Sequence, residues 1–158
     1  MTKLIGDWLK VDHITKRIEQ LGKETMIEGL VKTGLFAEGT AKKHMSRQDL
    51  GWKALNKGYK DYKKSKGLST NTLVATSAYF QAITSFSKGK QVNVGVKKVA
   101  RDKEGNEIAN IAAIHEFGST KRGIPARPLW KPTLDETNVW LKKNGFDKII
   151  IKKLNRLK

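Results

Sequence analysis

A chain of 158 residues, 38% hydrophobic and 30% charged, has the size and composition of one soluble globular domain with a real core. It contains no cysteine, which excludes a disulfide framework, a thiolate metal site and a cysteine nucleophile. The formal net charge of +17 calls for an anionic partner: nucleic acid, an anionic surface or an acidic protein.

At the start of the chain Lys3, Asp7 and Lys10 interrupt any apolar run, so no signal peptide is expected. No stretch approaches the roughly 20 apolar residues of a membrane span. The expectation is a protein made in the cytoplasm with no membrane partner. Ile14, Ile18, Leu21 and Thr25 then recur at helical spacing among charged residues, which predicts an amphipathic helix over residues 12–31. Asp12 is its expected N-cap, and Gly34 marks the region where it ends.

Residues 38–67 are polar and lysine-rich. Trp52, Leu55, Tyr59 and Tyr62 are spaced three, four and three apart, which predicts a helix with an aromatic face over residues 48–64. Residues 68–86 read as another helix, carrying Leu73, Ala78, Phe80 and Ile83. A turn at residues 88–90 leads into QVNVGV, whose Val92, Val94 and Val96 alternate onto one face of a strand. Residues 101–107 form an exposed turn built on Gly105 and Asn106. The apolar run IANIAAIHEF fits a helix or a buried strand, and periodicity does not decide between them.

All three prolines, Pro125, Pro128 and Pro132, fall within nine residues and enforce a stiff, extended segment. Pro132 also suits the first turn of a following helix, which would turn Leu134 and Leu141 inward and end at Gly145. The tail DKIIIKKLNRLK reads as a strand through Ile149 and Ile151, or as a short helix through Ile150, Leu154 and Leu157. The chain therefore divides into an N-terminal helical arm (1–47), an α+β core (48–145) and a basic C-terminal tail (146–158).

Charge is spread along the chain. Residues 1–37 carry 6 basic and 5 acidic side chains, residues 38–70 carry 9 against 3, and residues 135–158 carry 7 against 3. A DNA-reading domain more often concentrates its charge on one helix. Even so, Trp52, Tyr59 and Tyr62 interleave with Lys53, Lys57, Lys60, Lys63 and Lys64, a mixture that stacks bases and tracks phosphates. The same string arises from a solvated lysine face with inward aromatics.

Catalytic signatures do not fit. His115-Glu116 begins like a zinc-protease helix, but the second histidine would stand at position 119, which is Ser119. His13 and His44 lie in separate segments without ligand spacing. KGKQVNVG lacks the spacing of a phosphate loop, no serine sits in a nucleophile elbow, and no carboxylate pair stands out. The reading is a protein that is not an enzyme and needs no cofactor. His115 is expected to be partly buried against a backbone carbonyl.

The most specific text is Ala112, His115, Glu116, Phe117 and Gly118, followed after a short loop by Ile124, Pro125, Ala126, Arg127, Pro128, Leu129, Pro132 and Leu134. It resembles the signature of small neck and tail-completion proteins of tailed phages, the virion morphogenesis family related to the Mu-type tail-completion protein. Upstream, Trp52, Leu55, the Tyr59-to-Lys66 string, Leu73, TSAYFQAITSF and the strand at Val92, Val94 and Gly95 are similar to the same family. Ser77 stands where the family has glycine. The resemblance covers roughly residues 50–136.

The resemblance implies an α+β fold, a small antiparallel sheet flanked by helices, in subunits that form rings of six or twelve; the long N-terminal helix and the basic tail lie outside the shared core and are candidates for the ring contacts. It implies a virion protein at the head–tail junction, assembled in the host cytoplasm. Its partners would be the connector or adaptor, the tail tube or terminator proteins, and DNA in transit. Within the motif, Phe117 is expected as a buried ring before a turn at Gly118, and Glu116 is expected to pair with Arg127. The basic loop Ser119, Thr120, Lys121, Arg122 and Gly123 is the expected contact with a neighbouring subunit or the channel. The alternatives are a tail terminator that caps the tube, and a basic DNA-binding protein without a ring.

Overall fold

In the computed structural model, which describes residues 8–155, one helix dominates: α1 spans Trp8–Arg47, 40 residues without a break. It starts earlier and ends later than its apolar stripe predicts. Asp12 is not its cap but lies one turn inside, paired with Lys16 at 2.7 Å. Further i,i+4 pairs, Glu19–Lys23 and Glu28–Lys32, support this solvated stretch. Gly34 does not end the helix. A Cβ there would stand 2.6 Å from Val92 Cγ2 and 3.1 Å from Ser85 Cβ, so this glycine lets another element approach closely.

That element is an antiparallel hairpin of β1 (Ile83–Lys88) and β2 (Gln91–Val96), in register from Ile83 opposite Val96 to Lys88 opposite Gln91. β2 is the predicted strand, with Val92, Val94 and Val96 half-buried on one side. β1 corrects the helix expected over residues 68–86, of which only α3 (Ala78–Ala82) is helical. The run is rich in Ser and Thr, which compete for backbone hydrogen bonds, and pairing with β2 captures its second half. Leu73 and Ser77, both at positive φ, break the remainder. Glu38 ties α1 to the hairpin: its carboxylate accepts from the Ser85 amide at 2.7 Å and the Ser85 hydroxyl at 3.0 Å. Burial opposes its ionisation, but hydrogen bonds from Lys42 and Ser85 outweigh that and hold its pKa below the usual carboxylate value.

The helix expected over residues 48–64 begins later, as α2 (Lys57–Ser65). Asn56 caps it, accepting from the Tyr59 amide at 2.7 Å, so Trp52 and Leu55 precede the helix. Gln48, at φ 57°, clamps this segment to the next, accepting from the Thr72 amide at 2.8 Å and donating to its carbonyl at 3.0 Å. The turn at residues 101–107 is exposed as expected, closed by Arg101–Glu107 at 2.9 Å and by Asp102 accepting from the Asn106 amide at 2.8 Å.

IANIAAIHEF is a helix, α4 (Ile108–Phe117). α5 (Trp130–Asn144) has Pro132 in its first turn and ends at Gly145 as expected. Its buried side is different from the one predicted: Thr133 and Thr137 turn inward while Leu134 is exposed. The tail is a helix, α6 (Phe146–Leu154), resting on α1 with Lys153 Nζ 3.1 Å from Glu28. The Ile150, Leu154 and Leu157 side chains lie outside the described residues.

Ala41, Met45, Tyr79, Ile83, Ile108, Ala112 and Leu129 form the core, with Trp52, Leu73 and Trp130 packed around it. The fold is α+β. Among the described residues, six helices surround one two-stranded antiparallel sheet, and no helix is long and apolar enough to cross a membrane. The C-terminal half of α1 packs against the hairpin, α5 and α6. Its N-terminal half leaves Ile14 59% and Ile18 64% exposed.

Candidate functional site

The His115–Pro128 text folds into a braced loop between α4 and α5. α4 ends at Gly118, whose φ of 76° and ψ of 177° suit glycine alone. A Cβ there would meet the Ala126 amide nitrogen at 2.8 Å and the Ile124 carbonyl at 3.0 Å. Ser119 and Ile124 exchange backbone hydrogen bonds of 2.8 and 2.9 Å, and the Arg127 amide donates to the His115 carbonyl at 2.6 Å. Between these ties, Thr120–Arg122 makes one 3₁₀ turn that carries Lys121 and Arg122 into solvent.

The expected Glu116–Arg127 pair does not form. Glu116 instead accepts from the backbone amides of Leu129 at 2.8 Å and Trp130 at 3.3 Å, at the start of α5. Those amides have no partner within their own helix, and a carboxylate there also meets the positive end of the helix dipole. Phe117 is not buried either. Its ring is 82% exposed, beside the basic loop.

Arg127 turns the other way. It is 5% exposed and, with Lys63, His115 and Tyr59, lines a cleft of about 650 Å³ between α2, α4 and the residues before α3. One Arg127 terminal nitrogen lies 3.4 Å from the Lys53 carbonyl, and its Nε finds no acceptor among the described residues. Lys63 is 2% exposed and donates to the Asn71 carbonyl at 2.7 Å, which corrects its placement among the DNA-facing lysines. His115 does not make the expected side-chain bond to a carbonyl, since its buried Nδ1 has no partner among the described residues. Burial, then the charges of Arg127 and Lys63, push the His115 pKa down. Burial, then Arg127, lowers that of Lys63.

Tyr59, at the rim of this cleft, and Tyr62 are exposed and stacked on each other, ring centroids 6.2 Å apart. Lys53, Lys57, Lys60 and Lys64 are exposed around them. Trp52 is separated from this pair. Its indole donates to the Pro128 carbonyl at 2.9 Å and holds the proline segment down.

An archaeal protein of Methanocaldococcus jannaschii, the uncharacterized protein MJ0331, is 33% identical to this chain over 116 residues, 71% of this chain and 74% of the relative. The chain belongs to the family of that protein. No family model and no solved structure matches it. The archaeal relative is itself uncharacterized, so membership assigns no activity, and the chemistry must be read from this member of the family.

In this family member a braced loop offers an aromatic ring and two cations outward, while the cleft behind it holds the buried Lys63, His115 and Arg127 side chains. Among the described residues no group of His, Asp and Glu converges as metal ligands. Sequence reasoning missed the inward cluster of Lys63, His115 and Arg127. A run of lysines carries no mark of the one that turns inward. Arg127 stood in the motif as the expected partner of Glu116, and only the flanking prolines, Pro125 at two residues' distance and Pro128 next to it, bear on the direction of its side chain, by fixing the backbone.

Proposed function

We propose that the protein is a non-enzymatic structural component of a tailed-phage particle, forming a ring at the head–tail junction. The observation that carries the reading is the braced loop: the phage-like motif presents Phe117, Lys121 and Arg122 outward instead of spending them on the core. A closed ring needs two different faces on each subunit. The loop supplies one and the exposed Ile14–Ile18 stripe of α1 the other. Subunits of six or twelve would order on the connector or adaptor and create the surface that the tail tube or its terminator needs. The work is done by binding alone.

Electron microscopy of particles made with the gene deleted, then restored in trans, tests the reading. The expected result is DNA-filled heads beside separate tails of normal length. Abnormally long tails would make the protein a tail terminator, and intact infectious particles would overturn both. Replacing Lys121 and Arg122 together by alanine should reduce joined particles, and wholly normal assembly would remove the loop from the interface.

A second reading, a basic DNA-binding protein, is favoured by the exposed Tyr59–Tyr62 stack among lysines. It requires that the free protein bind DNA with an affinity falling steeply as salt rises, because phosphate contacts release counterions. Weak, salt-insensitive binding would discard it.

A further inference from the structure

We infer that the cleft between α2 and residues 124–127 is a binding site for a carboxylate carried beside an apolar side chain, delivered by an acidic segment of a partner protein. The inference does not depend on the phage reading. Three observations carry it. Two cationic side chains, Arg127 and Lys63, lie within the fold at 5% and 2% exposure, and among the described residues neither forms an ion pair. Burying unpaired charge is costly unless something neutralises it. The Arg127 Nε is buried and without a hydrogen-bond partner among the described residues, so an unused N–H donor lies at the cleft, beside the likewise unpartnered His115 Nδ1. Finally, Leu55, Leu73, Ile108, Ile111, Ile124 and Pro125 give the cleft a mainly apolar wall, with Lys53 and Arg122 adding further positive charge to its lining.

The walls choose the occupant. A nucleic-acid backbone follows solvated, basic grooves and carries no apolar group to fill this one. A carboxylate next to a leucine or phenylalanine satisfies base and walls together, and guanidinium binds carboxylate through directed, charge-assisted hydrogen bonds. A partner of opposite net charge complements a chain of +17 better than a second copy does. Asp102, the carboxylate at the cleft's edge, is already occupied with the Asn106 and Glu104 amides at 2.8 and 2.9 Å. The partner is therefore a different, acidic protein.

The test uses the full chain in solution NMR, following the arginine Nε–H resonances and the isoleucine methyls. The probes are the blocked tripeptide acetyl-Leu-Glu-Phe-amide, its glutamine analogue, and inorganic phosphate. The glutamate peptide should move the Arg127 Nε–H and the methyls of Ile108, Ile111 and Ile124 saturably, with roughly tenfold preference over the glutamine peptide. Arg127→Gln or Lys63→Met should remove that preference. The comparison of peptides on the unmodified chain stands even if a variant fails to fold. Equal binding of both peptides, a response to phosphate alone, or no response would each overturn the inference.

Discussion

His115 shows how one side chain can make stability depend on pH. Its folded-state pKa is depressed by burial first and by Arg127 and Lys63 next. As pH falls through the ordinary histidine value of about 6.5, the unfolded chain takes up a proton that the folded chain resists. The contribution is thus intact above that value and lost below it. Thermal melts between pH 8 and pH 5 should show Tm falling below about 6.5, and His115→Gln should flatten the fall. Gly118 gives a second test at this scale. Gly118→Ala should destabilise by about 1–3 kcal/mol in urea titrations, because its backbone region is closed to a Cβ that would also strike the Ala126 amide. The motif was legible as a brace, through Gly118 and the prolines. The directions of Glu116, Phe117 and Arg127 were not. Opposite charges suggested a pair, yet the unsatisfied amides at the start of α5 claim the glutamate, and they exist only once the helix has been placed beside it.

At the scale of elements, the glycines of α1 separate two effects. Gly22 and Gly39 have nothing within 4 Å of a built Cβ, so alanine at either should raise stability by about 0.5–1 kcal/mol through helix propensity. Gly34→Ala should instead lower it by about 1–3 kcal/mol, because the new methyl meets the stiff Val92 side chain and pushes the hairpin away. Chemical denaturation of the three variants checks the opposite signs; a stabilising Gly34→Ala would mean the hairpin yields easily. Local pattern read some of these elements well. Alternation in QVNVGV identified β2, and Pro132 and Gly145 bracketed α5. β1 escaped because ITSFSK has no alternation of its own and becomes a strand through its partner. The length of α1 escaped because the isoleucine stripe that marks its start is exposed, while the side that is buried further on is made of small and polar residues. Thr25, Ala37, Thr40 and Ala41 pack against neighbours that come later in the chain.

The whole molecule combines a like-charged surface with apolar groups left uncovered. Ile14 and Ile18 stand out on the half of α1 that is largely exposed, and neither belongs to the core among the described residues. If this arm is a subunit contact, Ile14→Asp with Ile18→Asp should leave the melting curve of the single chain unchanged. It should weaken association at least a hundredfold, at about 1.5–3 kcal/mol for each buried isoleucine. Light scattering at several protein concentrations measures this, and an unchanged mass would exclude the arm from the assembly. The position of α1 has another consequence, in time. It is made before every other described element, yet the groups that cover it arrive in sequence: the hairpin, then α5, and last α6, whose Lys153 reaches back to Glu28. A helix can form within microseconds, whereas this one must wait seconds for translation to supply its partners. During that interval its packing side lacks these partners, and α6 is the last of the described elements to reach it.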